Sequence, residues 1–486
     1  MRTVNLPPYA PTLIESTRSI GYTLEAAIAD IIDNSMSAQA SFIDIFFFPA
    51  DDSYIAILDD GTGMDSNSIN TAMRYGSQNP NEKRVANDLG RFGLGMKTAS
   101  LSQCRTLTVI SKQDNTIEAR QWDIDHVITK DDWSLIILDT DEELNDFPHI
   151  NDLRNLKNGT LVIWQNLDRL RVGESDFDLS MGNKMDTVRS HLSLVFHGYI
   201  NGEPGLPKVQ INMNNVPIIA ADPFLTRRNN QVMSDECIYI DGATVIVRPY
   251  ILPHISSMTH SEIEALGGNE GLRKSQGFYV YRNKRLLVWG TWFRMMRQSD
   301  LSKLARVQVD IPNELDYLWT LDIKKSIAIP PEVVRKNLIA VIEQLALKSK
   351  RTWEYRGKKE THDSIVHVWQ RYKGKHGGYF YDINRNHPLV LIFKNESVQV
   401  QRNIEALLKV IELNLPLNQL YIDMQSDKPI ECEKETTLQD IESILIGLLE
   451  QMSSDRAKSE LLEQLCNSDP FVNYPEVIER YKRSGV

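Results

Sequence analysis

The run "STRSIGYTLEAAIADIIDNSMSA", followed at once by "SFIDIFFF" and "SYIAILDDGTG", constrains this chain most. Ile28, Ile31 and Ile32 recur with a helical period, so the first run predicts an amphipathic helix from about Ser16 to Ala38. The next two runs are apolar and strand-length, and the second ends in a glycine turn. A helix with one apolar stripe, next to two apolar strands, buries that stripe on the sheet. The opposite stripe holds Asp30, Asp33, Asn34 and Ser37. It either faces water or holds something.

The pattern continues with a helical stretch, "SNSINTAMRYG", a polar loop at 77–90, and a glycine-rich turn opening a helix at "GMKTASLSQ". Strands "RTLTVISK", "TIEARQWD", "SLIILD" and "GTLVIWQNL" follow, which predicts an α+β layer of helices on one sheet face. Arg169–Met185 is polar and reads as a boundary. Further strands, "GATVIVRPYIL", "GFYVYRNKRLLVWG" and "LARVQVDI", lead to a closing helix that begins near Pro331. Residues 357–388 read as loop, and the chain beyond Asn395 as mainly helical, with Ile441, Ile444, Leu445, Leu448 and Leu449 on one stripe that reads as core. The 486 residues accommodate about three domains at roughly 150 residues each. The predicted division is 1–175, 176–356 and 357–486.

A net charge of -11 argues against a chain that is basic all over, though not against a local basic patch. The 4 cysteines include no CxxC pair, so neither a disulfide framework nor a zinc signature is present. The N-terminus has no apolar signal core, and "FIDIFFF" is far short of the ~20 residues that cross a bilayer. A cytoplasmic protein with no membrane partner is expected.

Three segments carry chemistry. On the first helix, Asp30 and Asn34 are four residues apart and share a face. A carboxylate there can take a proton from water, and an amide oxygen one turn on can ligate Mg²⁺. A solvated polar face is the other reading. In "ILDDGTGMD", Asp59 ends a strand, and Gly61 and Gly63 let the backbone approach a ligand closely. A buried carboxylate at that place can accept the exocyclic amine of adenine and reject guanine's carbonyl. A plain hairpin turn is the alternative. In "GRFGLGMKTAS", Gly90, Gly93 and Gly95 precede the helix near Lys97. Such a turn exposes backbone N–H groups to an anion. It lacks the G-K-[ST] ending of a phosphate-binding P-loop, and it follows a polar loop, not a βαβ strand.

In this order and within about 75 residues, the three segments resemble the GHKL ATPases, the superfamily of gyrase B, MutL, the heat-shock chaperone ATPases, histidine kinases and MORC proteins. "GTLVIWQNLD" adds a Gly-Thr pair, and "AMRYGSQ" with "GRFGLGMKTAS" is most similar to MORC and its prokaryotic relatives. The resemblance covers residues 12–170. It implies the GHKL (Bergerat) α/β sandwich, ATP and Mg²⁺ as cofactors, and ATPase activity. By the same resemblance Asp30 sits at the general-base position and Asn34 at the Mg²⁺ ligand. Asp59 sits at the adenine acceptor, with Gly61, Gly63, Met64 and Thr160 around the base. Gly90, Arg91, Gly93, Leu94, Gly95 and Lys97 form the lid over the phosphates, and Asp33 is a hydrogen-bonding helper at most. One residue departs from the family. Its base is usually Glu, and here the position holds Asp30; Glu25, nine residues before Asn34, cannot substitute. One methylene fewer retracts the carboxylate by about 1.5 Å, and a misplacement of roughly 1 Å can cost ~10²-fold. Slow hydrolysis is expected.

In MutL and gyrase B a second, transducer domain sends a lysine to the γ-phosphate. "WTLDIKKSIAIPPEVVR" resembles that segment, with Lys325 as first choice and Lys324 as second. Two basic stretches could meet nucleic acid: Arg282, Lys284, Arg285, Arg294 and Arg297 interleaved with Trp289 and Trp292, and the lysines and arginines of "KSKRTWEYRGKK". A solvated helix face and strand edge explain them equally. His376, Asp382 and His387 have no metal-ligand spacing. The resemblance implies an ATP-gated homodimeric clamp on DNA, in genome maintenance or antiviral defence, with a partner nuclease or helicase. A non-catalytic ATP-sensing scaffold, binding a partner through its C-terminal helices, is the alternative. A histidine kinase is disfavoured, since no His precedes Asn34.

Overall fold

The computed structural model describes residues 3–4, 8–19, 21–76, 95–228, 234–253, 257–298, 302–321, 328–354, 365–373, 379–416, 438–450, 452 and 454–483. They fall into two compact units, Met1–Tyr355 and Arg356–Val486.

The segment expected as one helix from Ser16 is two helices, α1 (Ala10–Arg18) and α2 (Leu24–Ser37). Gly21 stands between them with φ +80°, a left-handed conformation that ends helical continuation. After α2 come β1 (Phe42–Phe48), β2 (Tyr54–Asp59), the short helices α3 (Ser66–Met73) and α4 (Gly95–Leu101), and strands β3 (Thr106–Gln113), β4 (Thr116–Asp123), β5 (Ile136–Leu138) and β6 (Gly159–Gln165). The strands join in the order β5-β4-β3-β6-β2-β1, each pair antiparallel.

Alternation along these strands sorts the core onto both faces. Ile43, Ile45, Ile55, Ile57, Leu107, Val109, Val162 and Trp164 face α2, whose Ile28, Ile31 and Ile32 are buried among them. Phe46, Ala56, Leu58, Ile110, Leu161 and Ile163 face the other way. There they meet Leu144, Ile150 and Leu153 of two short helices, Asp141–Asn145 and Ile150–Asn155.

The polar stretch read as a boundary is instead built into this core. Helix α5 (Phe177–Val195) buries Met181, Met185, Val188, Leu192 and Val195 against α2 and the sheet. Its apolar residues sit at helical spacing among charged ones, which hides the stripe from a reading by composition. Strand β7 (Gln210–Met213) then pairs parallel to β1, and β8 (Val216–Pro217) pairs with β7, so the first sheet draws on chain well past residue 175.

A second sheet has the order β12-β11-β13-β10-β9, from β9 (Glu236–Ile240), β10 (Ala243–Ile251), β11 (Gly277–Arg282), β12 (Arg285–Thr291) and β13 (Ala305–Ile311). Helix α6 (Glu332–Glu354) covers it with Val334, Leu338, Val341 and Leu345.

In the second unit, residues expected as loop contain an antiparallel hairpin, Trp369–Lys373 with Tyr379–Ile383. Its strands carry Trp, Tyr and Phe in strand-length runs on either side of the Gly-rich sequence "GKHGG". Helices Val398–Leu413, Leu438–Glu450, Asp455–Leu465 and Pro475–Arg483 follow. Ile441, Leu445 and Leu449 enter a core with Leu461, Leu462, Leu465 and Phe471, and Leu448 packs against it half-buried, while Ile444 stays 45% exposed. Among the described residues no helix is long and apolar enough to cross a membrane.

Candidate nucleotide site

Helix α2 presents a different polar partner at almost every step of its last two turns. Tyr22 Oη donates to Asp30 Oδ2 at 2.9 Å, and Asp30 is buried. Arg285 Nε donates to Asp33 Oδ1 at 3.2 Å. Asn34 is exposed. Ser35 Oγ donates to Asp59 Oδ2 at 2.7 Å, which ties the helix to the end of β2.

Asp59 is the best-defined member of the group. It is 5% exposed, and its Oδ1 accepts the N–H of Gly61 at 2.9 Å. Burial pushes its carboxyl up to about 6, opposed by the hydrogen bonds from Ser35, Gly61 and Thr160 that favour the charge. Thr160 lies directly opposite it on β6. The Thr160 hydroxyl is 2.9 Å from Ser111 Oγ, and Ser111 Oγ accepts the N–H of Met64 at 2.9 Å. The glycines allow strand and turn to come this close. Gly63 has φ +71°, and a Cβ there would lie 2.0 Å from the Lys112 carbonyl oxygen. A Cβ on Gly159 would lie 2.3 Å from the Asp59 carbonyl oxygen.

The start of α4 closes on the same helix. A Cβ on Gly95 would stand 3.6 Å from Asp30 Oδ2. Lys97 is buried, and its Nζ donates to the Ala72 carbonyl at 2.6 Å, near the end of α3. Burial lowers its ammonium to about 8. Gly90, Arg91, Gly93, Leu94, Lys324 and Lys325 lie outside the described residues, as does His376.

Three sequence motifs tens of residues apart thus converge on one helix: Asp30 and Asn34, the D-x-G-x-G turn, and the opening of α4. Tyr22, Ser35 and Ser111 belong to the same network and escaped the sequence reading, as did the place in it of Arg285, read only as part of a basic stretch. Ser35 follows Asn34 directly, so a signal was there. Nothing in the local pattern marks the others.

The first basic stretch is largely consumed inside the fold. Arg282 is buried and bonds to both carboxylate oxygens of Asp316, the shortest contact being 2.7 Å. Lys284 Nζ bonds Asp310 at 2.8 Å, and Arg285 pairs with Asp33. Trp292 is 3% exposed, and the Trp289 ring sits 5.5 Å from that of His191. Of that stretch Arg294 and Arg297 are exposed, while Arg282, Lys284 and Arg285 are paired with acids within the fold, which leaves few free cations for the nucleic-acid face that was one of its two readings. The physical reason is a set of acidic partners, Asp33, Asp310 and Asp316, distant in sequence from the arginines or lysine they neutralise. In the second stretch, the side chains of Lys348, Lys350 and Arg351 and all of Arg356, Lys358 and Lys359 lie outside the described residues. Among the described residues no group of three or more His, Cys, Asp or Glu is placed to hold a metal ion. A Mg²⁺–nucleotide site would need no such group, because one or two protein oxygens suffice where phosphates and waters complete the shell.

Residues 22–160 match the family model described as Histidine kinase-, DNA gyrase B-, and HSP90-like ATPase. The matched span includes Tyr22, Asp30, Asn34, Asp59 and Thr160 of the network just described, and leaves Arg285 outside it. It supports the GHKL superfamily for this part of the chain, and ATP as its ligand. No curated protein matches the sequence.

Proposed function

We propose that the chain binds Mg²⁺–ATP where α2, the end of β2 and the start of α4 meet, and hydrolyses it slowly. The observation that carries this reading is Asp59: a buried carboxylate at the end of β2, held by Gly61 and by Ser35 of the helix that also carries Asp30 and the exposed Asn34. Asp59 accepts the adenine amine. Guanine would set a carbonyl against that carboxylate, so the site selects adenine. Gly61, Gly63, Met64 and Thr160 line the base.

The Asn34 amide oxygen suits Mg²⁺, a hard cation that prefers oxygen donors. When bound, the ion neutralises charge on the β- and γ-phosphates. Asp30 accepts the proton of the attacking water. Its carboxylate is one methylene shorter than that of Glu and is held by the Tyr22 hydroxyl, so a low turnover number is expected. Gly95, residues 90–94 and Lys97, once its Nζ leaves the Ala72 carbonyl, cover the phosphates, and Lys325, or Lys324, approaches the γ-phosphate from the segment ahead of α6.

The resemblance to MORC, MutL and gyrase B supports extending this to an ATP-gated homodimeric clamp on DNA, in genome maintenance or defence, with a nuclease or helicase as partner. A second reading, an ATP-sensing scaffold, is favoured by one feature. Helix Val398–Leu413 buries none of its residues and exposes Leu407, Val410 and Leu413.

Steady-state ATP turnover of Asp30→Ala and Asn34→Ala tests the site. Both substitutions are expected to reduce the rate by about 10²-fold or more, as loss of a positioned catalytic group does. Full activity in Asp30→Ala, with loss in Asn34→Ala, would show that Asp30 is not the base. Absence of turnover in the unaltered chain, with ATP still bound, would favour the scaffold.

A further inference from the structure

Arg285 opens β12 in the second sheet, 252 residues from its partner Asp33 on α2. Both side chains are buried, at 6% and 1% exposure. The guanidinium also donates to the Leu286 carbonyl at 3.0 Å and lies 5.8 Å from the Phe196 ring centroid. Desolvating such a pair is costly, and well-packed apolar side chains commonly give equal or greater stability. What the ion pair adds is direction: it ties one residue of α2 to one residue of β12.

The place of that tie matters. Successive helical residues are turned by about 100°. Asp33 therefore precedes Asn34 by about 100° and lies about 60° from Asp30, three residues earlier. On the far side of Asn34, Ser35 is tied to Asp59. The helix is gripped at 33 from the second sheet and at 35 from the first, with Asn34 between the two grips.

We propose that Arg285 is a positioning residue for nucleotide hydrolysis: through its ion pair with Asp33 the second sheet sets the rotation and height of α2, and so aims Asp30 and Asn34. This rests on the ATPase reading above. The neighbourhood suits the role. His191, half-buried beside the pair, is held neutral, its imidazole pushed down to about 4 by burial and secondly by the charge of Arg285. Tyr199 also stays protonated, raised to about 12 chiefly by burial. The ring groups around the tie therefore carry no charge that competes with it near neutral pH.

Two variants test the proposal in the full-length chain. Asp33→Leu/Arg285→Met replaces the ion pair by apolar packing; Arg285→Lys keeps the charge and loses the planar fork. The double variant is expected to keep a thermal midpoint near that of the unaltered protein. Its kcat should fall by about 10- to 100-fold, the effect of roughly 1 Å of misplacement, with KM for Mg²⁺–ATP changed less than about threefold. Arg285→Lys should lose several-fold in kcat in the same sense. A folded double variant, or an Arg285→Lys variant, with unaltered kcat overturns the proposal. Hydrogen–deuterium exchange over Leu24–Ser37 gives a readout independent of turnover. Faster exchange in Arg285→Lys supports positioning of α2, and unchanged exchange overturns it. If the unaltered chain has no turnover at all, the ATPase reading falls, and the exchange result still decides whether Arg285 positions the helix.

Discussion

Burial raises the Asp59 carboxyl to about 6, against three hydrogen bonds that favour its ionised form. The folded-state value lies above the ordinary 3.8. Between about pH 4 and pH 6 the native state therefore keeps a proton that the unfolded chain has lost. Stability from this group is greatest below that window, falls as pH rises through it, and stays lower above it. The change is on the order of 3 kcal/mol. Asp59→Asn cannot titrate. The difference in melting temperature between Asp59→Asn and the unaltered protein should shift in favour of the variant between pH 4 and 6, and stay level above. A difference independent of pH would show that Asp59 ionises normally in the native state. At this scale the acid itself was legible in "ILDDGTGMD", whereas its burial and its bond to Ser35 depend on where α2 lies.

At the scale of elements, the glycines separate positions that need space from positions that need only a backbone angle. Gly63 and Gly76 both have left-handed φ, +71° and +70°. A Cβ at Gly63 would meet the Lys112 carbonyl at 2.0 Å, and one at Gly76 would meet nothing within 4 Å among the described residues. Gly76→Ala should cost about 1 kcal/mol, the backbone strain alone. Gly63→Ala must also push β3 away from the turn, and should cost more than about 3 kcal/mol and abolish nucleotide binding. Urea unfolding curves with nucleotide titrations measure both; equal costs would refute the contact. Most strands were legible because their apolar runs have strand length and end in turn residues. The break at Gly21 and the helix α5 were not. One depends on a single backbone angle, and the other is an apolar stripe diluted by charges.

For the whole molecule, the clamp reading makes a statement about assembly. Light scattering with a non-hydrolysable ATP analogue and Mg²⁺ should double the mass relative to the nucleotide-free chain. A monomer in every nucleotide state would sink the clamp and leave the scaffold. DNA added to the same measurement should bind with a strong salt dependence only if basic groups other than Arg282, Lys284 and Arg285 face it, since those three are neutralised within the fold. By itself, the sequence determined the class of site: the residue types and their order, from Asp30 to Thr160, are a property of the chain read along its length. Tertiary structure decided which charges are available. Arg285, three residues from Arg282, reads from sequence as one cation among several in a basic, aromatic stretch. Folding buries it 252 positions away against Asp33 on α2. A contact between such distant residues leaves no periodic trace in either segment, because each side chain answers to the packing of two sheets and not to its neighbours in the chain.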